Sequence, residues 1–173
     1  MRDYLTERHG AELTREVFSD EPIYVLSEAY PDERLLALVR RASEATGRDA
    51  DDLLHDFGVF TGSTTFTRLY PSFFALAPTA RDFLLTVETR IHELVRQTIP
   101  NAEPPQLRVS ELGEDGVAID YRSPRQLCVL LRGLAEGTAL HYGESAELEE
   151  VTCMRRGDPA CRFEVRLSPR SAA

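Results

Sequence analysis

The sequence predicts an α+β fold, and three observations carry that prediction. Up to about Pro100 the apolar residues recur at helical spacing; beyond it they alternate with a period of two. A single leucine-rich helix is embedded among the later strands. We expect one domain over residues 1–173. Its helical half spans about 1–100, a mostly antiparallel sheet spans about 101–167, and 168–173 form a loose tail.

The elements follow in order. Arg2 to Phe18 reads as a short amphipathic helix, and Ser19 to Pro31, with two prolines, as a connector. Asp32 to Thr46 places Leu35, Leu36, Leu38, Val39 and Ala42 on one side and stops at Gly47. Asp49 to Phe60 opens with acidic residues and turns Leu53, Leu54, Phe57 and Phe60 inward. Thr64 to Phe74 is aromatic-rich around Pro71. Thr79 to Thr98 is the longest predicted helix, and His92 lies beside its apolar stripe. Pro104-Pro105 ends the helical half. Leu107–Leu112, Gly116–Tyr121, Ala146–Met154 and Arg162–Leu167 read as strands. Between the second and third of these lies a helix over Gln126–Tyr142, with Ser123 as its N-cap and Pro124 in its first turn.

Composition limits the function classes. With 42% hydrophobic and 28% charged residues, the chain is an ordinary globular protein. A net charge of -9, without a basic patch, argues against nucleic acid as a partner. No apolar run approaches the ~20 residues that span a bilayer. The charged start, Met1 to Arg8, lacks the apolar core of a signal peptide. The expected location is the cytoplasm, where the three cysteines would be reduced or metal-bound.

Three constellations carry chemistry. Tyr121, Ser123 and Arg125 offer a phenol, a hydroxyl and a guanidinium at a strand-to-helix corner, a set suited to carboxylates or a phosphate. A plain capped helix with a solvated Arg is the other reading. His92 is either a buried neutral histidine or a metal ligand. Cys153 and Cys161 bracket a Gly-Asp-Pro turn, Cys128 lies early in the embedded helix, and His141 or Glu150 completes a set of four. These are three buried thiols or a closed zinc site. No nucleophile elbow, P-loop, dinucleotide fingerprint or zinc-protease motif is present, so we expect a protein that is not an enzyme.

Taken together the motifs resemble the H-NOX family, the haem nitric oxide/oxygen binding domains related to the haem domain of soluble guanylate cyclase. His92 lies 13 residues before Pro105, and Pro105 lies 16 before the Tyr121-x-Ser123-x-Arg125 motif. Tyr70-Pro71-Ser72-Phe73-Phe74 resembles the family's aromatic-Pro-Ser segment, and Gly133-Leu134-Ala135-Glu136-Gly137 its Gly-Leu-x-x-Gly helix. The resemblance implies haem b with His92 as the axial ligand to iron and Tyr121, Ser123 and Arg125 on the propionates. It further implies Pro105 against the macrocycle, Ile91 and Leu107 nearby, and Phe66, Leu130 and Leu134 on the distal side. Leu130 stands where oxygen-binding members have a tyrosine, so nitric oxide and carbon monoxide are expected to bind and oxygen is not. Some bacterial members hold a zinc on three cysteines and a histidine. Cys128, Cys153 and Cys161 match, but Glu150 stands at the histidine's position. The fourth ligand is therefore Glu150 or His141, or the metal is absent. Aligned on Gly10, the chain lacks some N-terminal residues of the family, so either its start codon is misplaced or the distal side is more open than usual.

The resulting expectation is a haem-based nitric oxide sensor. Release of His92 frees the long helix, the two halves rotate, and a separate partner reads the changed surface. Family analogy suggests a histidine kinase or a cyclic-di-nucleotide enzyme as that partner. The alternative is a haem-free small-ligand sensor, or a Cys/zinc redox sensor on the same fold.

Overall fold

A computed structural model describes residues 1–25 and 28–170. The fold is α+β as the patterning predicts: helices through Thr98, then a four-stranded sheet with one helix between its second and third strands. The N-terminal segment forms α1 (Arg2–His9) and α2 (Ala11–Val17) rather than one helix. Gly10 sits between them at φ 88, a conformation that a side chain disfavours, and so turns the chain. Both helices bury apolar side chains, among them Tyr4, Leu5 and Val17, beside Leu38 and Leu53 of the two helices that follow. Part of the expected connector, residues 26–27, lies outside the described residues, as do 171–173 of the expected tail.

Helix α3 (Asp32–Thr46) starts and stops as its sequence indicates, with Gly47 at φ 67 as the left-handed cap. Asp49 accepts from the Asp51 N–H and so caps α4 (Ala50–Phe60). The helix does not stop at Phe60. It runs on through a π-helical stretch, Thr61–Thr65, into α5 (Phe66–Leu69), and Pro71 opens α6 (Pro71–Ala75). The long predicted helix is real but composite. Thr79 caps α7 (Ala80–Thr86), Val87–His92 is π-helical, and α8 (Glu93–Thr98) continues it. A π turn inside a helix often marks a functional position, and this one ends on His92.

Strands β1 (Gln106–Glu111), β2 (Gly116–Arg122), β3 (Glu144–Thr152) and β4 (Cys161–Pro169) form an antiparallel sheet in the order β1-β2-β4-β3. Leu107 and Cys161 therefore flank Tyr121 on either side. Helix α9 (Cys128–His141) packs on the sheet through Cys128, Ala135 and Ala139, beside Val117, Ile119, Phe163 and Val165. Its start corrects the sequence reading. Ser123 is not its N-cap, because residues 123–127 form a turn first, with Gln126 at φ 51, and the helix begins at Cys128. Ser123 instead accepts the Arg125 N–H at 3.3 Å, and Tyr121 Oη accepts the Leu127 N–H at 3.1 Å. A strand-end phenol thus occupies one of the helix's first free donors.

The other face of α9 meets α4 with almost no side chain between them. A Cβ on Gly58 would sit 2.6 Å from Leu130 O. Likewise a Cβ on Gly133 would overlap His55 O, and one on Gly137 would overlap Val59 O. Because the blocking atoms are backbone, neither helix can yield locally. Overpacking of this kind costs about 1–3 kcal/mol, against about 1 kcal/mol that Ala gains over Gly inside a helix. Gly137→Ala is expected to lower the urea midpoint; a gain in stability would show that the crossing has room for a methyl group.

Candidate functional site

The two halves enclose an apolar cavity of ≈ 370 Å³. Its helical wall is built from Leu84, Val87, Ile91, His92 and Val95 of the composite helix, together with Phe66 and Tyr70. Leu127, Leu130, Leu131 and Leu134 come from the α9 side, and Pro105, Leu107, Ile119 and Tyr121 from the sheet half. Leu130 and Leu134 of α9, which look like core in sequence, thus line the cavity, as does Leu131, which also packs against the core of the sheet half. A second, more polar cleft opens beside it and shares Pro105 and Arg125; it is also lined by Ser123, Arg96 and Arg122.

Of the expected cofactor residues, His92, Ile91, Pro105, Leu107, Phe66, Leu130, Leu134, Tyr121 and Arg125 line the cavity, and Ser123 lines the adjoining cleft. His92 Nδ1 lies 2.8 Å from Glu88 Oε2. With the carboxylate as acceptor, Nδ1 carries the proton and Nε2 keeps a free lone pair. Among the described residues no protein group bonds Nε2. The Glu88 carboxylate is fully engaged. Oε1 accepts from Arg96 at 2.8 Å, and Oε2 also accepts the Leu107 N–H at 3.2 Å. Burial would raise its pKa, but the hydrogen bonds from His92 and Arg96 outweigh that and hold it below the usual range.

At the rim, Arg125 Nε lies 2.6 Å from Asp32 Oδ1, at the start of α3. The approach is off the line of the N–H, so Nε is buried without a directed hydrogen bond. Asp32 supplies one anionic oxygen to this guanidinium, whose planar fork of donors can take a second. The Tyr121 phenol is pushed up by burial and stays protonated, able to donate. The sequence reading missed Glu88 and Asp32. Glu88 was accessible to it, since a carboxylate four residues before a histidine on a helix lies within reach. Asp32 was not, because only the tertiary fold brings α3 to the corner after β2.

The cysteines form a separate centre. The ligand atoms of Cys128, Glu150, Cys153 and Cys161 lie within 4.8 Å of one another. The Cys128–Cys153 sulfurs are 3.8 Å apart and the Cys153–Cys161 sulfurs 3.9 Å. A bulge between Glu150 and Thr152 and a left-handed Gly157 at φ 97 shape the hairpin. Burial pushes the Cys128 thiol up to about 12 and also raises Cys161. Glu150 pairs with Arg156 at 2.5 Å. His141 does not join the set; its ring packs edge-on to Phe74, with centroids 4.9 Å apart.

This architecture, an apolar cavity between a helical half and a sheet with an imidazole in its wall and an arginine at its rim, is that of a domain for holding an apolar ligand with an anionic end. The family model described as Haem-NO-binding matches residues 1–150, and the chain belongs to that family, the H-NOX haem-binding gas-sensor domains. The chain is 25% identical over 135 residues to soluble guanylate cyclase 89Da of Drosophila melanogaster. That match covers 72% of this chain and 19% of the relative, so the chain spans about a fifth of the curated relative's length. The H-NOX protein of S. oneidensis in its Fe(II)NO state superposes with a TM-score of 0.87 at 21% identity, covering 96% of this chain and 94% of that one. The Fe(II) unliganded H-NOX protein of K. algicida gives 0.80 at 23%, covering 99% and 95%. Among the described residues no helix is long and apolar enough to cross a membrane.

Tyr121→Phe removes the acceptor of the Leu127 N–H. It is expected to lower stability by about 0.5–1.5 kcal/mol in urea denaturation; an unchanged midpoint would mean that water replaces the phenol there.

Proposed function

We propose that the chain is a haem-based nitric oxide sensor that acts in the cytoplasm and regulates a separate signalling protein. The observation that carries the reading is the cavity itself. It presents a histidine with a free Nε2 from one wall and the Arg125 guanidinium, beside Asp32, at its rim. The residues fit haem b. His92 would ligate the iron, Arg125, Tyr121 and Ser123 would take the propionates, and the leucines and Phe66 would exclude water. Pro105, which lines the cavity, would supply a rigid contact against the macrocycle. Bound haem supplies a ferrous iron with an open position for a diatomic gas. Ile91 and Leu107 line the same cavity and would pack beside it, so the helix of His92 and the first strand would share one ligand. Leu130 and Leu134 would offer a bound gas no hydrogen bond, which favours nitric oxide and carbon monoxide over oxygen. The partner suggested by family analogy is a histidine kinase or a cyclic-di-nucleotide enzyme.

A second site belongs to the same reading. Zn–S bonds of about 2.3 Å in a tetrahedron put sulfurs about 3.8 Å apart, close to the separations among Cys128, Cys153 and Cys161. We assign these thiols and Glu150 as ligands of a structural or redox-responsive zinc. A cation there would turn costly buried thiolates into stable ones.

The purified ferrous protein is expected to show a Soret band that responds to nitric oxide and carbon monoxide and is lost in His92→Ala. A native chain without that band would overturn the haem reading. Under air the native spectrum should show no stable oxygen form, whereas Leu130→Tyr should gain one. A stable oxygen form in the native chain would overturn the assignment of gas selectivity to Leu130. Elemental analysis is expected to find one zinc per chain, reduced severalfold in Cys153→Ala; equal zinc in both would remove the cluster from the assignment.

A further inference from the structure

The carboxylate of Glu88 does more than form a surface ion pair. Both of its oxygens are used, by three donors from three places: the ring of His92, the guanidinium of Arg96 one turn further on, and the backbone N–H of Leu107 in β1. Strand β1 is at the sheet edge, bonded to β2 on one side only. The outward Leu107 N–H would otherwise face no strand, and Glu88 occupies it. Oε2 therefore joins the imidazole to the strand that begins one residue after Pro105. His92 is mostly buried, its side chain 15% exposed, and Glu88 is 27% exposed. Water competes weakly for such a bond, and the charge on its acceptor makes it stronger than a neutral one.

We propose that Glu88 is the positioning residue of His92. It holds the ring in the Nδ1–H form, aims the lone pair of Nε2 away from the carboxylate, and raises the electron density at that nitrogen. A carboxylate on the far nitrogen of a ligating histidine fixes ring orientation and increases ligand basicity. A more basic Nε2 binds iron more firmly and favours the ferric state. Glu88 therefore sets how strongly the protein resists losing the His92 bond to a gas that competes across the iron. Arg96 and the Leu107 N–H draw on the same carboxylate and moderate its effect. Because Leu107 is the second donor on Oε2, any movement of the His92 helix is also felt by the sheet edge.

The inference rests on the haem reading for its consequence but not for its geometry, and two measurements keep them apart. Nitrogen-15 NMR of the full chain without haem, in mildly alkaline buffer, reads the His92 tautomer directly. The native ring is expected to be mainly Nδ1–H, and in Glu88→Ala the ratio should move toward Nε2–H by about tenfold, the size of one charge-assisted hydrogen bond. In the haem-loaded protein, Glu88→Gln keeps the side chain's shape and removes its charge. Its ferrous iron–imidazole stretching band is expected at lower frequency than native, its midpoint potential higher, and its nitric oxide complex more fully detached from His92. A native ring in the Nε2–H form, or a tautomer unaffected by Glu88→Ala, overturns the proposal. So does an iron–imidazole band in Glu88→Gln identical to native. A chain that takes up no haem defeats the reading of the preceding subsection, and the tautomer still decides the role of Glu88.

Discussion

The backbone contact between α4 and α9 is the constraint on which the cavity depends. Gly58 and Gly62 on one side, and Gly133 and Gly137 on the other, let the two helices approach until carbonyls meet the opposing chain. That crossing fixes how α9 is rotated. With one face on α4 and another on the sheet through Ala135 and Ala139, Leu130, Leu131 and Leu134 are left facing the space between the halves. Side chains large enough to fill a core end up as a lining. Apolar surface left without protein neighbours is unfavourable unless something apolar occupies it, so the same geometry that opens the cavity also favours a large hydrophobic ligand.

Polar groups around the lining are arranged by opposite logic, each held by a polar partner. His92 is tied to Glu88 and through it to β1, and Arg125 lies against Asp32 of α3. Tyr121, at the end of β2, spends its phenol on the Leu127 N–H beyond the turn. These links cross between the helical half and the sheet half, or between successive elements at their junction. A change in position at His92 or at Arg125 therefore has direct mechanical neighbours on both sides. The cysteine centre is connected to the same corner by the chain itself, since Cys128 is the first residue of α9 and Cys161 is paired in the sheet with Tyr121.

How much of this was legible can be judged residue by residue. Helix α3 was readable to both ends because its stop is a local event, a glycine that can take positive φ. The strands were readable because period-2 alternation survives any tertiary context that buries one face. The start of α9 was misread, since Ser123-Pro124 has the chemistry of a helix cap and nothing local reveals that Gln126 will turn the chain at positive φ. The break at Gly10 was missed for a similar reason: a glycine within a helical pattern is usually tolerated.

The sequence by itself determined the order of elements, the α+β class and the residue types available for chemistry, because these follow from periodicity, turn residues and spacing along one chain. The imidazole, the Tyr-x-Ser-x-Arg motif and the three thiols could be named at that level, and the family with them. Tertiary structure alone decided which apolar residues are core and which are lining, because that depends on the rotation of α9 against α4. It also decided that Asp32 meets Arg125, and that Glu150 rather than His141 stands beside the thiols. Those pairings are set by distances in space between elements far apart in the chain. At Glu88 the two levels meet: its spacing from His92 is written in the helix, but the Leu107 N–H that makes it a bridge exists only once the sheet edge is in place.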